Sequence, residues 1–142
     1  MAEQRETKPR ISHIALKVED LEATAKFYID VFDFEEIARH RDGDHVSLHM
    51  TDGHLDLALV KYDTEDSFIG SAAGPDPCIH HFGIDVPNIP TYKKMLEDHG
   101  ANVFNDPTNP KAPVWKFRAP GGGGICEIGP YKWHQRDGDD DI

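Results

Sequence analysis

Two histidines and two acids carry the chemistry that this sequence is equipped to do. His13 lies in the segment I-S-H-I-A-L-K-V, Ile11 to Val18, and His81 in C-I-H-H-F-G-I-D-V, Cys78 to Val86. The second segment repeats the first at an offset of 68 residues, pairing His13 with His81, Ala15 with Gly83, Leu16 with Ile84 and Val18 with Val86. The acids repeat too. Gly53-His54-Leu55-Asp56-Leu57 matches Gly124-Ile125-Cys126-Glu127-Ile128: glycine, two residues, carboxylate, aliphatic. Asp56 follows His13 by 43 residues and Glu127 follows His81 by 46. Two neutral imidazoles and two carboxylates make a mixed nitrogen and oxygen set. It suits one divalent ion (Mn, Fe, Co, Ni or Zn) with one or two positions left for water or substrate. A closed structural zinc site would more often use cysteine.

Each of these residues has an ordinary reading when taken alone. His13 at a strand start is more often a hydrogen-bonded core or edge histidine. Asp56 between leucines would accept backbone hydrogen bonds, and Glu127 near a strand end would be a solvated acid. His40, His45, His99 and His134 read as surface or turn residues. The case for a metal rests on coincidence in register, since the two histidines hold one repeat position and the two carboxylates another.

The elements that must position this set follow from the pattern of apolar residues. Ile11 to Val18 alternates as a half-buried strand does. Asp20 then caps a helix with Leu21, Ala25, Tyr28 and Phe32 on one face. In the second copy Asn88 caps, Pro90 lies in the first turn, Ile89, Tyr92, Met95 and Leu96 follow, and Gly100 stops the helix. Further strands are expected at Phe34 to Arg39, His45 to Met50 and His54 to Tyr62. Their counterparts are Asn102 to Phe104, Val114 to Arg118 and Ile125 to Ile128, with a turn at Gly121 to Gly124. The fold class is α+β, two βαβββ modules forming one cupped mixed sheet. The modules span residues 11–62 and 79–131 of a single domain, 11–133. A polar linker, 63–78, joins them. Residues 1–10 and the acidic tail 134–142 are expected to be disordered.

Strand parity then selects faces. Ile14, Leu16 and Val18 pack towards the helix, leaving Ile11, His13, Ala15 and Lys17 on the concave side. His81, Gly83 and Asp85 point into the cup, with His80, Phe82, Ile84 and Val86 against the helix. Leu55, Leu57 and Leu59 are assigned to the packed face, and His54, Asp56 and Ala58 to the concave one. Glu127 joins them from the last strand.

Composition excludes several partners. A formal net charge of -11 over 142 residues repels nucleic acid and anionic membrane surfaces. No apolar run approaches the roughly 20 residues needed to cross a bilayer, and the polar N-terminus lacks the apolar stretch of a secretory signal. Two cysteines, Cys78 and Cys126, form no disulfide framework. Cytoplasmic residence with free thiols is the expectation.

The quoted motifs resemble the vicinal oxygen chelate superfamily, the glyoxalase, bleomycin-resistance and extradiol dioxygenase group. H-I-A-L-K-V with D-L-E-A-T-A-K-F-Y is similar to its first strand and helix. H-H-F-G-I-D-V is similar to the start of its second module, and K-F-R-A-P-G-G-G-G-I-C-E-I to its closing hairpin. The resemblance runs from about Ile11 to Trp133 and implies His13, Asp56, His81 and Glu127 as metal ligands. It departs at Asp56, where the family more often has Glu or Gln; His54 on the same face is a possible substitute. It also implies a homodimer.

The scaffold hosts several reactions. The resemblance points first to a metal-dependent lyase or isomerase that chelates adjacent oxygens of a small substrate and stabilises an enediolate or enolate. Glu127 or Asp56 would then be the base. His49 and His54 are secondary candidates, and Lys116 or Arg118 would hold an anionic group. An iron-dependent dioxygenase is the alternative, and a non-catalytic drug-binding module the third reading. Substrate identity lies in loops such as Thr64 to Pro77 and Asn105 to Pro113, and no glutathione or coenzyme A signature stands out.

Overall fold

The computed structural model describes residues 8–138. The first module is β1 (Arg10–Lys17), α1 (Leu21–Phe32), β2 (Glu35–Asp42), β3 (His45–Thr51) and β4 (Asp56–Tyr62). A short helix, α2 (Phe68–Ser71), leads to the second: β5 (Cys78–Asp85), α3 (Ile89–Asp98), β6 (Asn102–Phe104), β7 (Trp115–Arg118) and β8 (Ile125–Gly129). A 3-10 turn, Trp133–Gln135, follows. Both helix starts form as their cap residues dictate: Asp20 accepts from the Ala23 N–H and Asn88 from the Thr91 N–H, each at 2.9 Å.

All eight strands share one sheet in the order β2-β3-β4-β1-β5-β8-β7-β6. The order carries the duplication. β1 runs parallel to β4, β5 runs parallel to β8, and the modules meet where β1 and β5 pair antiparallel. The cup is therefore completed within one chain, and the two halves of the proposed ligand set face each other across the β1–β5 seam.

Each module has its own apolar core on the helix side. Under α1 it is Ala25, Leu48, Met50 and Leu59, with Leu16, Val18, Leu21 and Tyr28 packed against it. Under α3 it is Val86, Phe117, Cys126 and Ile128, with Phe82, Ile84, Ile89 and Leu96. Ala15, Ala58 and Val60 cluster apart from both, with Tyr62 beside them. They line the concave face, as alternation requires.

Three boundaries differ from the sequence reading. The linker is not a loose spacer. Ser67 caps α2 through the Gly70 N–H (3.0 Å), Ile69 is 1% exposed, and the carbonyls of Gly70 and Gly74 each hold the Lys17 ammonium at 2.9 Å. The apolar Phe68-Ile69-Gly70 stretch explains this, because Gly70 lies flat on the Tyr62 ring. At the start, Arg10 already belongs to β1, and Lys8 accepts through its carbonyl from the Tyr131 hydroxyl. At the end, His134 to Arg136 pack onto the sheet rather than opening a disordered tail. The rest of both expected tails, residues 1–7 and 139–142, lies outside the described residues.

Candidate metal centre

Three of the four expected ligands come together on the concave face. His13, His81 and Glu127 offer ligand atoms within 4.8 Å of one another, and all three residues are buried. Glu127 is the hub. Its Oε2 lies 3.3 Å from His13 Nε2, 4.0 Å from His81 Nε2 and 3.0 Å from His134 Nε2. Its other oxygen, Oε1, accepts from the buried ammonium of Lys116 at 2.9 Å.

The sequence shapes the room around this hub. Gly83 pairs with His13 across the seam, and the imidazole lies against its backbone. A Cβ at residue 83 would sit 1.8 Å from His13 Cε1 and 2.1 Å from Nδ1. Only glycine leaves that ring its place. Above it opens a cavity of about 60 Å³, lined by Ala15, Ser47, His49, Ala58 and Tyr62 among others. One water needs about 10–15 Å³ on this measure, so the cavity holds several.

The proton positions follow from the hydrogen bonds. His80 Nε2 lies 2.7 Å from the Ile69 carbonyl, which can only accept, so that nitrogen carries the hydrogen. Burial pushes the His80 pKa down to about 4, so the ring is neutral and its Nδ1 is an acceptor. His81 Nδ1, 2.8 Å away, must then be the donor. That leaves His81 Nε2 as a bare lone pair aimed at a carboxylate. The Ser12 hydroxyl donates to Asp85 (2.8 Å) and turns its oxygen to His13 Nδ1 at 3.5 Å. His13 Nε2, buried, makes no hydrogen bond.

The bare His81 nitrogen and the unpartnered His13 Nε2 face an ionised oxygen, an arrangement that a cation among them would relieve. Burial lowers the His13 and His81 pKa values, His81 most strongly. Protons are thus poor candidates for that cation. Glu127 stays ionised: burial opposes its charge, but the adjacent Lys116 ammonium holds its pKa well below the usual range. Neutral imidazoles and an ionised carboxylate are the protonation states a divalent ion requires. The residues present therefore fit the ion that the sequence pattern implied.

Other expected site residues divide. Asp56 is buried and pairs in register with His13. It does not reach the cluster; Gln135 Nε2 holds its carboxylate at 3.3 Å through both oxygens. Burial raises its pKa. His49 lines the cavity, with Nε2 on the Ser47 hydroxyl at 2.9 Å and a buried Nδ1 without a partner. Lys116 lines it too.

His54 and Arg118 do not belong there. His54 is exposed and precedes β4, because Asp52 Oδ1 accepts from the N–H groups of His54 and Leu55 and turns the chain. Leu55 is 37% exposed for the same reason, off the packed face to which parity assigned it. Arg118 donates to the Ala72 carbonyl at 2.7 Å and lines a separate cleft beside Gly123 and Gly124. His80 packs under Ile69 rather than against α3, since β1 and β5 shift register between Ala15 and Leu16.

The residue that sequence reasoning missed is His134. Read as a surface residue, its ring packs 3.9 Å from His13 and 5.3 Å from His49, centre to centre. Nothing periodic marks it; the one signal was the aromatic pair Tyr131 and Trp133 ahead of the acidic run. His40, also read as exposed, is 1% exposed and packs on His49 at 5.1 Å.

The buried histidines make acid stability testable. Burial holds the folded pKa values of His13, His49, His80 and His81 below the ordinary imidazole value of about 6.5. The unfolded chain therefore binds more protons below about pH 6.5. Their contribution to stability is complete above that value and is lost as pH falls towards the folded values, for His80 by about pH 4. At 1.36 kcal/mol per unit this is on the order of 3 kcal/mol for His80 alone. The urea midpoint of metal-free protein is expected to fall steadily from pH 7 to pH 4; a flat profile would contradict these assignments.

A family model described as the Glyoxalase/Bleomycin resistance protein/Dioxygenase superfamily matches residues 10–123. The chain belongs to this superfamily. No curated protein is matched by the sequence. Among solved structures, this superfamily member is similar to a hypothetical protein from Bacillus halodurans (TM-score 0.72, 19% identity, covering 86% of this chain and 94% of that one). It is also similar to a methylmalonyl-CoA epimerase from Mycobacterium tuberculosis (TM-score 0.70, 15% identity, 84% and 87% covered). A third is a variant of the Streptomyces coelicolor methylmalonyl-CoA epimerase in complex with 2-nitronate-propionyl-CoA (TM-score 0.67, 22% identity, 84% and 94% covered). At these identities the likeness is one of fold. The superfamily match ends before His134.

Proposed function

We propose that this chain is a divalent-metal-dependent isomerase or lyase, which binds a small substrate through two adjacent oxygens and moves a proton at the neighbouring carbon. The observation that carries this reading is the convergence of His13 Nε2 and His81 Nε2 on the buried Glu127 carboxylate beneath an open cavity. The epimerases among the neighbours favour isomerisation. An ion such as Mn, Fe, Co, Ni or Zn supplies Lewis acidity, worth several kcal/mol to an enolate oxygen.

The chain's own residues do the rest. Glu127, with one oxygen bound by Lys116 and the other facing the imidazoles, suits the role of ligand better than that of base. Asp56 is engaged by Gln135. His49 is the proton carrier we favour, as burial keeps it neutral and its Nδ1 has no partner. Lys116 is committed to Glu127 and does not serve a substrate anion.

The test is proton exchange. Protein loaded with cobalt(II) is incubated in deuterated water with a hemithioacetal and with α-branched acyl thioesters, methylmalonyl-CoA among them, and the α position is followed by NMR. Exchange is expected with one of these, and no exchange with any would sink the reading. His49→Gln is expected to lower kcat by about 10²–10⁴ with cobalt affinity unchanged.

One observation favours a second reading. With Asp56 held off by Gln135, His13, His81 and Glu127 form a set of two histidines and one carboxylate, the arrangement used by non-haem iron dioxygenases. Oxygen uptake with catechols by the iron(II)-loaded protein, without solvent exchange, would decide for it.

A homodimer also belongs to this proposal. Phe27, Val31 and Phe32 on α1 and Ile79 on β5 are exposed apolar groups that a second copy would cover. A purely monomeric species in sedimentation velocity at micromolar concentration would exclude it. Among the described residues, no helix is long and apolar enough to cross a membrane.

A further inference from the structure

We infer that His134, from the turn after β8, supplies the fourth protein ligand of the metal centre in place of Asp56. The inference rests on the metal-dependent reading above and assigns it a residue that, like Glu127, lies beyond the stretch 10–123 matched by the superfamily model.

Three observations carry it. First, three imidazole nitrogens converge on one oxygen: Nε2 of His134, His13 and His81 lie 3.0, 3.3 and 4.0 Å from Glu127 Oε2. Donors bound tetrahedrally at about 2.1 Å stand about 3.4 Å apart, so His134 and His13 lie at ligand spacing from this oxygen. His134 stands outside the trio whose ligand atoms all lie within 4.8 Å of one another, so its ring closes on the others when the ion binds. Second, Asp56 is otherwise engaged. Both of its oxygens accept from Gln135, the residue next to His134. Third, the turn is pinned at points outside the ligand set. Arg136 grips both oxygens of Asp42 at 2.8 and 2.9 Å and stacks on Trp133 at 3.8 Å, and Tyr131 reaches the Lys8 carbonyl. The His134 side chain is 15% exposed, wedged beside His13. A histidine that only closed the cup would not need a fixed Nε2 at the carboxylate oxygen that Lys116 leaves open.

The competing role is a latch that a metal must displace, and the two roles differ in sign. Cobalt(II) is titrated into chelator-stripped full-length protein, with affinity read by competition and coordination read from the visible absorption bands. His134→Ala is expected to bind cobalt at least about 10–100-fold more weakly, the scale on which even an outer-shell partner matters, with altered band positions. His134→Gln keeps a donor for Glu127 but is a poor ligand; it is expected to resemble the alanine variant and serves if the latter fails to fold. Asp56→Asn is expected to bind within a few-fold of wild type. Equal or tighter binding by both His134 variants, with wild-type bands, would overturn the assignment and leave the metal reading standing. Failure of the wild type to bind cobalt would instead remove the metal reading itself.

Discussion

Glu127→Ala is expected to abolish metal binding and to destabilise the metal-free protein by about 3–5 kcal/mol, the scale of a buried charge stripped of its partner. Lys116 is the reason. It is 7% exposed and its ammonium donates to Glu127 Oε1 at 2.9 Å, so removing the carboxylate leaves a cation in the core. The two effects separate by a second substitution. Glu127→Ala combined with Lys116→Met removes both charges, and its urea midpoint is expected to recover most of the loss. Its metal affinity is not expected to recover, because the oxygen at the centre of three imidazoles is still missing. If the double variant regained metal binding, Glu127 would be a structural acid and the centre would have to lie elsewhere.

Gly83→Ala is expected to be nearly as damaging, although it adds a single methyl group. That carbon would lie 1.8 Å from His13 Cε1, which no imidazole tolerates. The obstruction is not the loose end of a long chain. His13 is buried, and its ring is held between Gly83, His81 and His134. Either β1 and β5 part at the seam or the ring leaves the cluster. Overpacking of this kind costs about 1–3 kcal/mol, and loss of His13 as a ligand weakens metal binding by at least about 10–100-fold. Calorimetric metal titration beside a denaturant melt checks both. A Gly83→Ala protein that binds metal as wild type does would mean that His13 is not a ligand.

The repeat made most of this site legible. Strand alternation has a period of two, so matching segments in two modules must aim matching residues at the same face. His13, Ala15, His81 and Gly83 obey it, and so does Glu127. The cores obey it as well, with Leu16, Leu57 and Leu59 on the α1 side.

Alternation failed where the strand itself was interrupted. His54 left the cup because the Asp52 carboxylate captured two backbone N–H groups and delayed the start of β4 to Asp56. His80 left its expected face because of the register shift beside it, which brings its Nδ1 to within 2.8 Å of His81 Nδ1. A local turn of this kind is written in sequence, but its competition with the strand is settled by the whole sheet.

His134 fails for a different reason. It reaches the centre from a turn with no period, placed by contacts to Asp42, Asp56 and Asp85 that lie far away in the chain. The three acids read as unconnected until the sheet brings them to one rim. The acidic run that follows hid the turn by making the whole segment look like solvated tail.

In the proposed centre both modules share a single cation. The most direct test of this arrangement is anomalous diffraction from crystals of the protein loaded with cobalt or zinc. One peak is expected on the concave face, about 2.0–2.2 Å from His13 Nε2, His81 Nε2 and a Glu127 oxygen. A peak elsewhere on the molecule, or none among these three side chains in metal-saturated crystals, would contradict it.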